Sequence, residues 1–377
     1  MSQASGHDIR AGFMPLVDCA PLIVAGRLGF AKSEGLRLSL VRESSWATLR
    51  DRISVRQLDA AHMLAPMPIA ANLGLTPLAV PLVAPLSLGF GGNTVTVSRA
   101  VWQELAAVGA PGDLRAGPAS EAMARLIETR RAAGGPRLVI AIVHSHSAHH
   151  YQLAYWLRAG GVDSAREVDI VVLPPPLMPA ALAQGHIDGF CAGEPWGSVA
   201  VDQGAGCLVT TSAHIWQAGP EKVLGVRRDF AESQPEIMAR LVRAVYRAAV
   251  WCDDPANRVE LAAALSAPDV LDQPASVILR SLERRLVAPT GGEVAIDGLM
   301  TFAHGAAAYP WISHAAWLYA QMVALGQVRP SPGAFAAACS AFRPDLTRMA
   351  LARLEIPLPL AVSKIEGVLA VPTAVAA

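Results

Sequence analysis

Asp188-Gly-Phe-Cys-Ala-Gly-Glu-Pro-Trp196 is the stretch on which the reading of the fold turns. A helix-like segment, Met178 to Gln184, precedes it, and Gly189 to Ala192 reads as a short buried strand. Pro195 has no N–H to give a ladder, so regular pairing stops there. Gly193 has no Cβ and lets its backbone come close to a ligand. Glu194 is the first charge after a run of small and apolar residues. Strands that end this way at the carboxyl edge of an α/β sheet stand where such sheets place ligands. The same residues also read as a plain turn capped by a buried Trp.

Working outward, the first ninety residues alternate strand and helix. Ile9 to Phe13, Leu36 to Val41 and Leu58 to Leu64 read as strands. Helices follow at Leu22 to Leu28, after Pro21, at Ala47 to Val55, and after Pro66-Met-Pro68. This βαβαβα order predicts a parallel, doubly wound sheet with the loops 14–18, 43–46 and 65–68 on its ligand edge. The Gly91-Gly92 pair then leads into the β-branched strand 93–98, read as a flexible crossing into a second α/β lobe. In that lobe Leu138 to Val143, Val168 to Leu173, Gly189 to Ala192 and Cys207 to Thr211 are strands, and His149 to Arg158 is a helix. Lys222 to Val226 carries the chain back. The expected organisation is 1–92 as the first part of lobe one, 93–226 as lobe two with the crossing strands, and 227–377 as the completion of lobe one with mostly C-terminal helices. Two lobes joined by two crossings enclose a cleft suited to a small molecule.

Composition narrows the function classes. The 377 residues are 53% hydrophobic and 16% charged with formal net charge +0. That describes a packed globular chain and gives no electrostatic argument for nucleic acid or an anionic membrane. Lys32, Lys222 and Lys364 are the only lysines. Residues 63–98 carry no charge, but Pro66, Pro68, Pro77, Pro81 and Pro85 interrupt them, so they read as buried core and hinge rather than a membrane span. The first ten residues show no basic or apolar leader pattern, which, for a complete gene product, predicts a cytoplasmic location. The five cysteines form no CxxC pair, so neither a disulfide framework nor a zinc site is expected.

Several side chains stand out as candidate ligands. His144, His146, His149 and His150 crowd a strand-to-helix loop. His146 and His150 have the i, i+4 spacing of a metal pair, yet a helix N-terminus with His donors suits an anion better, and a capping and packing cluster fits the same residues. Lys222 is either a cleft charge facing a small anion or an ordinary exposed lysine. Trp46 offers an indole N–H or packs. Asn93 offers an amide donor or makes a turn. Cys19 in Asp-Cys-Ala-Pro is the one possible nucleophile. There is no P-loop, GxSxG, HExxH or post-strand GxGxxG, so no catalytic engine is expected and no cofactor.

Seven stretches taken together resemble a known family: Gly12-Phe-Met-Pro-Leu-Val-Asp-Cys-Ala-Pro-Leu22, Ser45-Trp-Ala-Thr-Leu-Arg-Asp-Arg52, Leu58-Asp-Ala-Ala-His-Met-Leu-Ala-Pro-Met-Pro68, Tyr155-Trp-Leu-Arg-Ala-Gly-Gly161, Val172-Leu-Pro-Pro-Pro176, Phe190-Cys-Ala-Gly-Glu-Pro-Trp196 and Pro310-Trp-Ile-Ser-His-Ala-Ala-Trp317. With Phe342-Arg-Pro-Asp-Leu346, they are similar to the nitrate- and bicarbonate-binding proteins of the NrtA/CmpA family, in order from about Ile9 to Pro357. The resemblance implies a two-lobed type II periplasmic-binding-protein-like fold with a helical C-terminal region. Carried over by position, the family's nitrate-holding residues fall on Trp46, Asn93, His149, Gly193 and Lys222. Asn93 departs, being one methylene shorter than the family's Gln. The predicted location points to the cytoplasmic NasS type. For that type the resemblance implies a nitrate or nitrite sensor whose partner is a NasT-type antiterminator with an ANTAR domain, held when the sensor is empty and released when ligand binds. A cytoplasmic regulatory or solute-binding subunit of a nitrate/bicarbonate ABC transporter is the alternative.

Overall fold

The computed structural model of the protein describes residues 6–366. It is an α/β protein of two lobes, each built on a five-stranded sheet. In chain order the strands are β1 (His7–Phe13), β2 (Leu36–Arg42), β3 (Ala60–Leu64), β4 (Leu82–Ser87), β5 (Asn93–Ser98), β6 (Leu138–Ile142), β7 (Val168–Val172), β8 (Gly189–Gly193), β9 (Gly206–Thr211) and β10 (Lys222–Arg227). The first sheet runs β2-β1-β3-β10-β4 and the second β7-β6-β8-β5-β9, the same order used twice. In each sheet one strand runs against the rest: β10 in the first and β5 in the second. These two are the strands on which the chain changes lobes. Because β10 belongs to the first sheet, the return is complete at Lys222, ahead of the boundary expected after Val226.

The Gly91-Gly92 crossing is tight rather than loose. Gly91 (φ 72°) and Gly92 (φ 96°) sit in the left-handed region that favours glycine. The strand Phe90–Gly91 pairs with Met300–Thr301, and Gly92 N–H donates to Leu299 O at 2.6 Å. A Cβ on Gly91 would run into the Leu299 carbonyl. Close backbone approach, not slack, accounts for the glycines.

Three segments differ from the sequence reading. The uncharged, proline-broken run holds, beyond the expected helix at Pro66–Asn72, the whole of β4. Pro85 is tolerated because β4 is the outermost strand of its sheet. Its outer side is covered by the C-terminal region, where Ala84 N–H donates to Ala341 O and Arg343 N–H to Ala84 O. Helices Arg99–Ala107 and Ala116–Ala132 occupy a region with no assigned element. Arg285–Val287 and Glu293–Ala295 form a hairpin in a region expected to be helices joined by a loop over Ala288 to Asp297. The tail after Gly367, read as frayed, lies outside the described residues. Among the described residues no helix is long and apolar enough to cross a membrane.

The lobes meet at the opening stretch. Val17 N–H donates to Glu194 O at 2.8 Å, and Trp196 Nε1 to Pro15 O at 2.8 Å. A buried apolar cluster joins Trp46 and Met63 of lobe one to Tyr151, Phe190 and Trp196 of lobe two. The Glu194 carboxyl is fully buried and accepts from Thr94 Oγ1 (3.1 Å), Ser281 Oγ (2.9 Å) and Ser198 Oγ. It therefore ties β5, the helix Trp196–Asp202 and the C-terminal helix Ala275–Leu282 together, a structural task. A Cβ on Gly197 would collide with Thr94 Oγ1 and lie 2.8 Å from Glu194 Oε1. Gly197→Ala is expected to lower stability by about 1–3 kcal/mol through overpacking. A chemical-denaturation midpoint unchanged from wild type would show that the network gives way freely.

Candidate functional site

The loop ends of the two sheets face each other across the cleft and enclose a polar chamber. Lobe one contributes Asp18 from the turn Val17–Cys19, Trp46 at the start of the helix Trp46–Ser54, and His62 from β3. It also supplies Glu221 and Lys222 at the head of β10. Lobe two contributes Asn93 from β5, Gly193 from β8, and His149 with Gln152 from the helix Ala148–Ala159. Local sequence explains the helix starts: Ser45 Oγ accepts from Thr48 N–H, and Ser147 Oγ from His150 N–H. Asn93 and Gly193 are register partners in the second sheet. A Cβ on Gly193 would lie 2.8 Å from Leu16 Cδ2 and 3.7 Å from Asp18 Oδ2, so only glycine leaves room for lobe one to close on it.

Charge in the chamber centres on Lys222, which is only 1% exposed. Its Nζ donates to Asp18 Oδ2 at 2.7 Å, lies 3.6 Å from Glu221 Oε2, and stands 5.8 Å from the Trp46 ring centroid. Asp18 Oδ1 accepts from His62 Nε2 at 2.9 Å, and Met14 N–H points at His62 Nδ1 at 3.4 Å, which places the imidazole proton on Nε2. Burial works against the Asp18 carboxylate, but Lys222 and His62 outweigh it and hold its carboxyl well below the usual range. Burial pushes the His149 imidazole far down, and the Lys222 charge adds to this, so His149 is neutral. Burial pushes Glu221 up to about 7 against the pull of Lys222, with Asp18 adding to the rise.

Many polar atoms of this chamber have no partner within the protein. At ordinary hydrogen-bond geometry they are Trp46 Nε1, Gln152 Nε2, both ring nitrogens of His149, Asn93 Oδ1 and both Glu221 oxygens, with the Asn93 and Gln152 amides lying near the Glu221 carboxyl. Asn93 Nδ2 is spent on Gln152 Oε1 at 3.1 Å. Buried polar groups are almost always satisfied, and each exception asks for a cause. Here the unpartnered donors come from both lobes and gather around one ammonium. Such a set is complementary to a small oxyanion, and its hydrogen bonds would be charge-assisted.

The five residues expected at the site, Trp46, Asn93, His149, Gly193 and Lys222, all line this chamber. Lys222 corrects the simple picture of a lone positive charge: it is already paired with Asp18 and flanked by Glu221. Nor is it an exposed lysine, and Asn93 opens a strand rather than making a turn. Asp18, His62, Gln152 and Glu221 were missed. Asp18 had a signal, being the only charged residue between Arg10 and Arg27. Gln152 follows His149 at i+3, one turn along the same helix face. The other histidines of the crowded loop are used locally. His144 Nδ1 accepts from His146 N–H, and His150 Nδ1 lies 2.9 Å from Ser145 O. Among the described residues no three His, Cys, Asp or Glu side chains are placed to hold a metal ion. Burial pushes the Cys19 thiol up, the opposite of what a nucleophile needs.

The raised Glu221 carboxyl has a consequence for stability. Its folded value of about 7 lies above the roughly 4.3 of a free glutamate, so the folded state keeps a proton that the unfolded chain releases. Stability is thus untouched below about pH 4, falls as pH rises towards 7, and is lower above that by about 4 kcal/mol. Glu221→Gln without added anion is expected to match wild type near pH 4 and exceed it increasingly up to pH 8. Urea unfolding at both pH values checks this; a gain that does not grow with pH would mean an ionised, well-accommodated carboxylate.

Known proteins share this architecture. The chain is 39% identical over 261 residues to the nitrate import ATP-binding protein NrtC of Synechocystis sp., a match covering 68% of this chain and 37% of that protein. The chain thus spans little more than a third of that relative's length. It is 29% identical over 351 residues to the nitrate/nitrite binding protein NrtA of Synechococcus elongatus, covering 91% of this chain and 77% of NrtA. The crystal structure of the periplasmic nitrate-binding protein NrtA from Synechocystis superimposes with a TM-score of 0.86 at 27% identity, covering 95% of this chain and 92% of that one. The two-lobed fold is that of the periplasmic binding proteins. A model of the NMT1-like family matches residues 2–266, well over half of the sequence, and the chain belongs to that family.

Proposed function

We propose that the chamber binds a planar monoanion of the nitrate or nitrite class, without catalysing a reaction. The observation that carries this reading is the set of unpartnered donors from both lobes around Lys222. Taking such an anion out of water is costly unless every oxygen finds a partner. Lys222 supplies charge, and Trp46, Gln152, His149 and the backbone at Gly193 supply positions for the oxygens, while Asn93 Nδ2 holds Gln152 Oε1 in place. The likeness to NrtA over most of the chain supports the same class of ligand.

The finer reading is a cytoplasmic NasS-type sensor. A ligand that touches both lobes favours their closed arrangement by its differential affinity. A NasT-type ANTAR antiterminator that fits the open arrangement would be held by the empty protein and released on binding. Moving that balance from 1:99 to 99:1 needs roughly 5.5 kcal/mol of differential binding. The runner-up is a solute-binding or regulatory part of a nitrate/bicarbonate ABC transporter. What favours it is the 39% identity to a portion of an import ATP-binding protein. Affinity capture from cell extract, with and without nitrate, separates the two. The sensor reading expects an RNA-binding regulator that nitrate elutes; the transporter reading expects a membrane ATPase.

A further inference from the structure

Lys222 is a single ammonium serving two carboxyl groups and, on the anion reading above, an anion as well. Asp18 Oδ2 takes the short contact at 2.7 Å, and Glu221 Oε2 stands at 3.6 Å. Neither Glu221 oxygen has a partner at ordinary hydrogen-bond geometry, although the side chain is 1% exposed and the Asn93 and Gln152 amides face it closely enough to pull its titration down. The groups around Glu221 come from every side of the chamber. Lys222 is on its own strand, Asp18 on the turn after β1, Asn93 on β5, Gln152 on the helix Ala148–Ala159 and the Cys191 thiol on β8. Of the nearby imidazoles, His62 is committed to Asp18 and His149 is neutral.

We propose that Glu221 is a ligand-contacting, specificity-determining residue of the chamber, and that a monoanion binds there together with one proton carried on the Glu221 carboxyl. The inference rests on the anion reading of the site. With Asp18 and Glu221 both ionised, Lys222 neutralises only one of them. The chamber then holds one net negative charge before any ligand arrives, and an anion would add a second among side chains that are nearly all buried. Protonated, Glu221 removes that repulsion and gains an O–H donor. One of its unpartnered oxygens then has something to donate to, namely an anion oxygen. Binding the anion and binding the proton therefore favour each other by the same factor. The burial-driven rise of the Glu221 carboxyl to about 7 puts this coupling within the working pH range. The arrangement also selects against dianions, which a single proton cannot offset.

The test is titration calorimetry of the full chain with potassium nitrate from pH 6 to 9, repeated at pH 8 in HEPES and in Tris, whose ionisation enthalpies differ. The expected result is a Kd that is nearly flat below about pH 6 and rises about tenfold per pH unit above about 7, as a one-proton linkage requires. Close to one proton should be taken up per nitrate at pH 8. Glu221→Gln should flatten the pH profile and abolish the buffer dependence. Wild-type binding that is independent of pH and buffer would overturn the proposal, as would a slope that survives in Glu221→Gln. The wild-type measurement decides the matter even if the variant does not fold. Absence of binding by nitrate and nitrite at every pH is a different outcome, and it would overturn the anion reading along with the inference.

Discussion

Lys222→Ala is expected to reduce nitrate binding by at least a hundredfold and to destabilise the protein at the same time. The ammonium is the only cation among the described chamber residues, and its stem is fully buried at the head of β10. Its removal takes away the charge that offsets the anion and leaves the buried Asp18 with His62 alone. Breaking one half of a buried pair typically costs about 3–5 kcal/mol. Lys222→Met keeps the apolar stem and should fold better while binding no more tightly. The decisive comparison is the nitrate-induced rise in melting temperature: present in wild type, absent in both variants. Nitrate protection that persists in a folded Lys222→Met protein would place the ligand elsewhere.

Asp18→Asn should act in the opposite direction on binding. Asp18 holds Lys222 at 2.7 Å and so competes with any anion for the same ammonium. Replacing the carboxylate by an amide leaves the chamber one charge more positive. Nitrate affinity is then expected to rise about tenfold, or about 1.4 kcal/mol. The unliganded protein should lose less than the about 3–5 kcal/mol of a broken buried pair, because Glu221, 3.6 Å from the ammonium, remains to balance Lys222. The two effects together predict a lower melting temperature without nitrate and a larger nitrate-induced rise than in wild type. If Asp18→Asn instead weakens nitrate binding, Asp18 serves to aim Lys222 rather than to compete for it.

The sequence carried the architecture because its punctuation is strong. Pro21 and Pro66 open helices, Gly35 precedes β2, and the β-branched run after Gly92 becomes β5. β4 was hidden by Pro85, which only an outermost strand accommodates, and its place in the sheet depends on residues more than 130 positions later. The helix Ala116–Ala132 begins Ala-Gly-Pro-Ala-Ser, which reads as a turn, and packing overrides that local signal. The five candidate ligands came from resemblance rather than from spacing. What the linear order could not show is the charge balance. Asp18 meets Lys222 across 204 positions, and Glu221 beside it gives no hint in sequence that it is buried rather than solvated. Whether an ammonium is free or already paired is a property of the folded cleft alone.

The stretch 188–196 divides its tasks in the same way. Gly193 forms a wall of the chamber because a side chain there would meet Leu16 of the other lobe. Glu194 and Trp196 fasten that wall through the buried hydroxyl network and the Pro15 carbonyl. Glu194, the charge that breaks the apolar run, is scaffold, and the glycine before it borders the site.

The central claim, an interlobe chamber that takes a nitrate-class monoanion on Lys222, is tested most directly by titrating wild-type protein and Lys222→Met with nitrate in anion-depleted buffer at pH 6. Saturable one-site binding to wild type and none to the variant is the predicted result. Equal binding by the two proteins, or no saturable binding by folded wild type to either nitrate or nitrite, would contradict it.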